Sequence, residues 1–111
     1  MELKKIEIDN GCILELIDER LDVKSVPQFR ELLEPEIINN TLIILDLSNT
    51  LFVDSTGVGA LLQLLKKLKA AGSTLKLCGI QDQVDAMFKL VHMDTMFDIS
   101  KNTDDIVKEH N

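Results

Sequence analysis

Apolar positions along the chain switch between a spacing of two and a spacing of three to four. In residues 3–8, Leu3, Ile6 and Ile8 are set against Lys4, Lys5 and Glu7, and in residues 12–17, Ile13, Leu14, Leu16 and Ile17 surround Glu15. Both stretches read as strands. Asp9-Asn10-Gly11 lies between them. Asn-Gly is a strong hairpin signal because both residues tolerate positive φ, so the chain is expected to open on an antiparallel hairpin. A loop follows at residues 18–22. Phe29, Leu32, Leu33 and Ile37 then recur at helical spacing behind Pro27. Pro27 suits a first helical turn, where its missing N–H has no intrahelical partner, with Ser25 or Val26 as the expected cap. Pro35 is expected to end or bend this helix near Glu34.

Residues 42–47 form a short Ile/Leu run with the character of a buried strand. Ser48-Asn49-Thr50 breaks it, Leu51-Phe52-Val53 follows as a second apolar patch, and Asp54-Ser55-Thr56-Gly57 leads into a helix with Val58, Leu61, Leu62, Leu65 and Leu68 on one face. Ala71-Gly72 is a helix stop, since glycine takes the left-handed conformation. Thr74 to Cys78 reads as a strand closed by Gly79. Residues 81–91 read as an amphipathic helix (Val84, Met87, Phe88, Val91) with Asp82 near its positive end. A short strand is expected at residues 97–99, and a terminal helix behind Thr103 at residues 104–108. The order β-β-α-β-α-β-α-β-α predicts one α/β domain over residues 1–111, its mixed, mostly parallel sheet opened by the hairpin.

Composition narrows the partners. Tryptophan and tyrosine are absent and phenylalanine occurs four times, so the core must be aliphatic. A net charge of −7, without a basic patch interleaved with aromatics, argues against nucleic-acid backbones and anionic membrane surfaces. No apolar run approaches the roughly 18 residues of a membrane span, and residues 1–9 carry no signal-peptide core, so a cytoplasmic location is expected. Cys12 and Cys78 sit in apolar segments without C-x-x-C spacing and are expected to be buried thiols.

The segment 54–59 is the candidate for chemistry. A strand end entering a helix places unpaired N–H groups and the positive dipole end beside Ser55, which favours negative charge there. A serine nucleophile needs G-x-S-x-G and a histidine base, but Val53 stands two residues before Ser55, and only His92 and His110 are available. A phosphate-cradling loop needs lysine after its glycine, and none follows Gly57 or Gly59 until Lys66. An aspartic-protease half-site is also missing, because Asp54 is followed by Ser-Thr-Gly. The acids Asp18, Glu19 and Asp22 follow the second strand, not the first, where a magnesium-binding response regulator would need them. No second ligand lies at helical spacing from His92, and Met87, Met93 and Met96 read as core fillers. Catalysis by this chain is not expected, nor is a cofactor or metal. Two readings stay open. Asp54 or Ser55 is a helix cap with two packing glycines, or Gly57 and Gly59, which together cost a helix about 2 kcal/mol relative to alanine, let a partner or a phosphate approach the backbone.

The segment Asp54-Ser55-Thr56-Gly57-Val58-Gly59, behind an apolar strand ending Leu45-Asp46-Leu47, resembles the STAS domain of anti-sigma factor antagonists, where D-S-[ST]-G-[LVI]-G enters a leucine-rich helix. The hairpin, Leu21-Asp22 before the first helix, Gly72, and the later pattern Val84, Met87, Phe88, Val91, Met93, Met96, Phe97, Ile99 also fall in register. Glu19-Arg20, where glycine is common, and Asp94-Thr95, where a serine-glycine turn is common, depart from it. The resemblance implies that Ser55 is phosphorylated by a cognate anti-sigma factor that is itself a serine kinase. The unphosphorylated form binds that kinase and frees a sigma factor, and a serine phosphatase restores it. Asp54 then orients the loop or the acceptor serine in the kinase complex, Thr56 is the lesser acceptor, and Gly57, Val58 and Gly59 form the contact surface together with Leu21 and Asp22. A phosphate adds about −1.5 to −2 charges, enough to repel a fitted partner without refolding the domain. The alternative implied role is a STAS subunit or scaffold of a larger assembly, in lipid transport or a stressosome-like particle, that works without phosphorylation.

Overall fold

In the computed structural model, which describes residues 1–100, Asp9 and Asn10 form the tip of the opening hairpin, with Asn10 at φ 66°. Strand β1 (Leu3–Ile8) pairs antiparallel with β2 (Gly11–Leu16), Ile8 lying opposite Gly11. Gly11 does not have the positive φ its turn motif suggests; it is the first residue of β2. Its requirement is space, because a Cβ there would lie 2.0 Å from the carbonyl oxygen of Leu42 on the neighbouring strand.

The expected loop at residues 18–22 contains a two-residue strand, β3 (Arg20–Leu21), and helix α1 (Val26–Asn39) follows. Pro35 does not end α1, which runs on to Asn39. Proline removes one hydrogen bond to the carbonyl of Glu31, but Glu31 and Pro35 are exposed, so the loss does not leave a buried polar group unsatisfied. Phe29 and Leu33 meanwhile hold the helix against the core. The chain continues through β4 (Leu42–Asp46), a second two-residue strand β5 (Phe52–Val53), α2 (Ser55–Ala70), β6 (Thr74–Cys78), α3 (Asp82–Leu90) and β7 (Asp98–Ser100). The helix expected at residues 104–108 lies outside the described residues, as does His110.

Five strands form a sheet in the order β1-β2-β4-β6-β7, parallel throughout except for the hairpin. Leu14, Leu16, Ile43, Leu45, Leu75 and Leu77 on one face belong to the same buried cluster as Phe29, Leu61, Leu68, Val84 and Phe88 from the helices. Alternate residues Ile13, Leu42, Ile44 and Cys78 form a smaller buried cluster on the other face, as a period of two requires. Met87 and Met93 pack against the main core, whereas Met96 is 45% exposed and does not fill it.

Helices α2 and α3 close with the same bond pattern. After α2, Gly72 at φ 75° sends its N–H to Lys69, and Ser73 sends its own to Leu68. After α3, His92 takes glycine's place at φ 59°, bonding Lys89, while Met93 bonds Phe88. His92 is thus a helix-end residue.

The loops that leave the carboxyl ends of adjacent parallel strands β2 and β4 emerge on one edge of the sheet. There β3 pairs in parallel with β5, Arg20 opposite Phe52 and Leu21 opposite Val53. This small second sheet joins the 18–25 loop to the entrance of α2.

Both cysteines are free and buried. Burial penalises the thiolate, pushing Cys12 from about 9 up to about 11 and Cys78 up to about 12. A raised pKa in the folded state means that the stabilising contribution is complete below the unfolded value near 9 and is lost as pH rises towards 11 and 12. Stability measured by urea titration is therefore expected to fall between those limits. At pH 8 iodoacetamide is expected to label neither thiol until denaturant is added; rapid native labelling would contradict their burial.

Candidate functional site

Asp54 organises the site. It is the N-cap of α2 in extended conformation, and its Oδ1 accepts the N–H of Gly57 at 2.8 Å. The second oxygen, Oδ2, accepts the N–H of Val23 at 3.1 Å. One carboxylate therefore caps a helix and pins the loop that follows β3. Ser55 is the first residue of α2 and is exposed. Among the described residues its hydroxyl has no hydrogen-bond partner, and the backbone N–H groups of Ser55 and Thr56 have no acceptor. An accessible hydroxyl thus sits beside two unpaired donors at the positive end of a 16-residue helix. Among the described residues no base hydrogen-bonds this hydroxyl, so the domain supplies nothing there to activate it, and any reaction at Ser55 needs a base brought from elsewhere.

The loop across from it has its own frame. Asp22 Oδ1 accepts the N–H groups of Lys24 and Ser25 at 3.1 and 3.2 Å, and Ser25 Oγ accepts the N–H of Asp22 at 3.0 Å. Ser25 occupies the cap position of α1, but its hydroxyl does not cap that helix. The reciprocal pair closes the turn before it instead. Asp22 Oδ2 accepts from Arg20 Nε at 3.1 Å, and this guanidinium holds the Asp22 carboxyl below the usual carboxylate range. The same guanidinium stacks 4.3 Å above the ring of Phe52. Arg20, Val23, Phe52 and Asp54 together line an open depression beside the start of α2.

The expected site residues divide into two sets. Ser55, Thr56 and Gly59 are exposed and Asp54 half-buried. Leu21, Gly57 and Val58 are buried within the domain. Their place is in the frame. Leu21 carbonyl oxygen accepts the N–H of Asp54 at 3.3 Å, and a Cβ at Gly57 would fall 2.2 Å from that same oxygen. Gly57 is therefore glycine because the domain's own backbone crosses it. Asp22 is likewise committed to its turn, with 14% of its side chain exposed.

Gly59 is different. A Cβ there would meet nothing within 4 Å, its φ is not positive, and it is exposed inside a helix. Glycine costs such a position about 1 kcal/mol relative to alanine, and nothing in the described chain requires it. It lies on a shallow groove with Arg30 of α1 and with Thr56, Gln63 and Lys66 of α2. Arg20, Val23, Phe52, Arg30 and Lys66 were all missed as site residues by the sequence pattern, because their significance comes from the β3–β5 pairing and from the packing of α1 on α2. An exposed phenylalanine in a chain with only four was the available clue.

Among the described residues no helix is long and apolar enough to cross a membrane, and no group of three or more His, Cys, Asp or Glu side chains is placed to hold a metal.

Comparison with known proteins is consistent with this architecture. The sequence model of the STAS domain matches residues 3–106. The anti-sigma-B factor antagonist of Staphylococcus aureus (strain NCTC 8325 / PS 47) is 29% identical over 85 residues, which is 76% of this chain and 79% of that protein. The anti-sigma factor antagonist SpoIIAA in its unphosphorylated form superposes with a TM-score of 0.78 at 20% identity, covering 98% of this chain and 96% of that one. The Bacillus cell fate determinant SpoIIAA in its phosphorylated form gives 0.74 at 18% identity, covering 99% and 100%. The two solved structures share the fold from end to end, and with the domain model matched over nearly its whole length, the chain belongs to the STAS domain family.

Proposed function

We propose that the chain is an anti-sigma factor antagonist whose binding to an anti-sigma factor serine kinase is switched off by phosphorylation of Ser55. The observation that carries this reading is the Ser55 hydroxyl, exposed, without a partner among the described residues, and fixed at the first turn of α2 by the Asp54 cap. The relatives named as antagonists, and the occurrence of one of them in phosphorylated and unphosphorylated forms, support it. The chain itself is not the enzyme. In the kinase complex Ser55 Oγ attacks the γ-phosphorus of ATP, the bond to the bridging oxygen breaks, ADP leaves, and the serine proton passes to a base of the kinase. The phosphoserine keeps its own fold intact, since the free N–H groups of Ser55 and Thr56 and the helix dipole accommodate the charge. A phosphatase returns the hydroxyl. The partners are proteins of the cytoplasm, and neither nucleic acid nor membrane enters the cycle.

The test is direct. The chain is incubated with purified anti-sigma factor kinases of the source genome and ATP, and the phosphate is located by peptide mass spectrometry. One phosphate on Ser55 is expected. Modification confined to Thr56, or none with a kinase that binds tightly, would overturn the assignment and favour a scaffold role.

A further inference from the structure

We propose that residues 101–111 dock on the face of the five-stranded sheet opposite the helices, with Ile106 and Val107 seated on Ile13 and Ile44. The chain then supplies its own cover for that face, a role separate from the Ser55 switch. Burial is the first observation. Strands β2, β4, β6 and β7 run parallel, and a parallel sheet needs protein on both faces. Helices α1, α2 and α3 all contribute to the main core on one face. On the other face, among the described residues, only strand residues gather: Ile13, Leu42, Ile44 and Cys78, with Ile8 against them. Yet Ile44 and Cys78 are 0% exposed and Ile13 is 6% exposed. Neighbouring strands shield such side chains from the sides and not from above, so a bare face would leave them open to water. Ile6, opposite Ile13 on the edge strand, is 47% exposed. The cover therefore lies over the middle of the sheet and stops short of β1.

The path of the chain selects the occupant. Strand β7 ends at Ser100, which pairs with Cys78 at the margin of the apolar patch. From there Ile44 lies two strands across, about 10 Å, and two residues back along its strand, about 7 Å. The six residues from Ser100 to Ile106 span up to about 20 Å, enough to reach the centre of the face. Ile106 and Val107 are the only apolar residues of this segment, and Asp104, Asp105 and Glu109 flank them. Lys76 faces the same side beside Ile44, 8% exposed and paired with Asp98 at 3.2 Å. An ammonium so nearly buried favours an acidic cover. A second copy of the chain is a poorer occupant, because the face is closed within one chain and two copies bring −7 against −7.

The two cysteines report on the two faces, since Cys78 belongs to this patch and Cys12 to the main core. In the natural chain, methyl NMR is expected to show cross-peaks from Ile106 and Val107 to Ile13 and Ile44. In the double variant Ile106→Asp with Val107→Asp, iodoacetamide at pH 8 is expected to label Cys78 about tenfold faster than in the natural chain. Cys12 is expected to stay protected, each site being read by peptide mass spectrometry. The milder Ile106→Ala is expected to accelerate Cys78 about threefold, and it keeps the comparison available if the double variant does not fold. Absence of the methyl cross-peaks would overturn the proposal, as would an unchanged Cys78 rate in a folded variant. Equal acceleration of both thiols in a variant that still melts cooperatively would also overturn it, because the segment would then support the whole core instead of shielding one face. None of these outcomes bears on Ser55.

Discussion

Replacing Gly57 with alanine is expected to destabilise the domain by about 3 kcal/mol, the upper end of the usual cost of forcing a methyl into a packed interior. The new Cβ would lie 2.2 Å from the carbonyl oxygen of Leu21, 3.1 Å from its carbon, and 2.8 Å from Cγ1 of Val53. Two of these three atoms are backbone, so no rotamer change removes the clash. Relief requires β3 to move away from α2. Leu21 is paired with Val53 and accepts the Asp54 N–H, so the movement would also disturb the loop that positions Ser55. In a domain of this size the loss corresponds to a drop in melting temperature of about 12–20 °C. Thermal melts followed by circular dichroism measure it. The decisive comparison is Gly59→Ala, in the same helix two residues on, where the methyl meets nothing and the melting temperature is expected to rise. Equal melts for the natural chain and Gly57→Ala would show that Leu21 yields freely, and the frame described for the site would then be wrong.

That contrast also marks what the sequence revealed and what it withheld. The two glycines look alike in the chain, both near the start of a helix, and composition assigns both to close approach by something. Only the three-dimensional path of residues 20–21 separates an internal approach at Gly57 from open space at Gly59. The sheet was legible because β1 and β6 alternate apolar and polar residues and β4 is a short unbroken apolar run, while the helices keep a period of 3.6 over nine or more residues. Strands β3 and β5 are two residues long, too short to show any period, and so the loop and the apolar patch gave no hint of their pairing. Pro35 misled for a related reason. Its local penalty is real, but Phe29 and Leu33 before it are both buried and Ile37 after it packs on the core, and that tertiary packing carries the helix through. The cap of α2 was readable to within one residue, as Asp54 or Ser55, and the structure assigns it to Asp54. The role of Leu21 and Asp22 was readable only as proximity. The burial of Leu21 and the hydrogen bonds of Asp22 add that both hold the loop beside the start of α2.

Ser55→Asp is expected to weaken binding to the cognate kinase by about 30- to 100-fold, whereas Ser55→Ala is expected to bind about as well as the natural chain, because like-charge juxtaposition at an interface costs several kcal/mol. Aspartate brings one negative charge where phosphoserine brings about two, so it reproduces the switch in part. Its effect on the free domain has the opposite sign. A carboxylate at the first position of α2 meets the helix dipole and the unpaired N–H groups there, and is expected to stabilise the domain by about 0.3–1 kcal/mol, less the repulsion from Asp54 next to it. A variant that melts no lower and yet fails to bind separates a surface switch from a folding defect. Calorimetric titration of both variants with the kinase, alongside melts of the free proteins, measures the two quantities. If Ser55→Asp binds as tightly as Ser55→Ala, negative charge at the head of α2 is not the signal. The phosphate would then have to act through its bulk or by rearranging the loop that Asp54 pins to Val23, and breaking that tether with Asp54→Ala would reproduce its effect without any added charge.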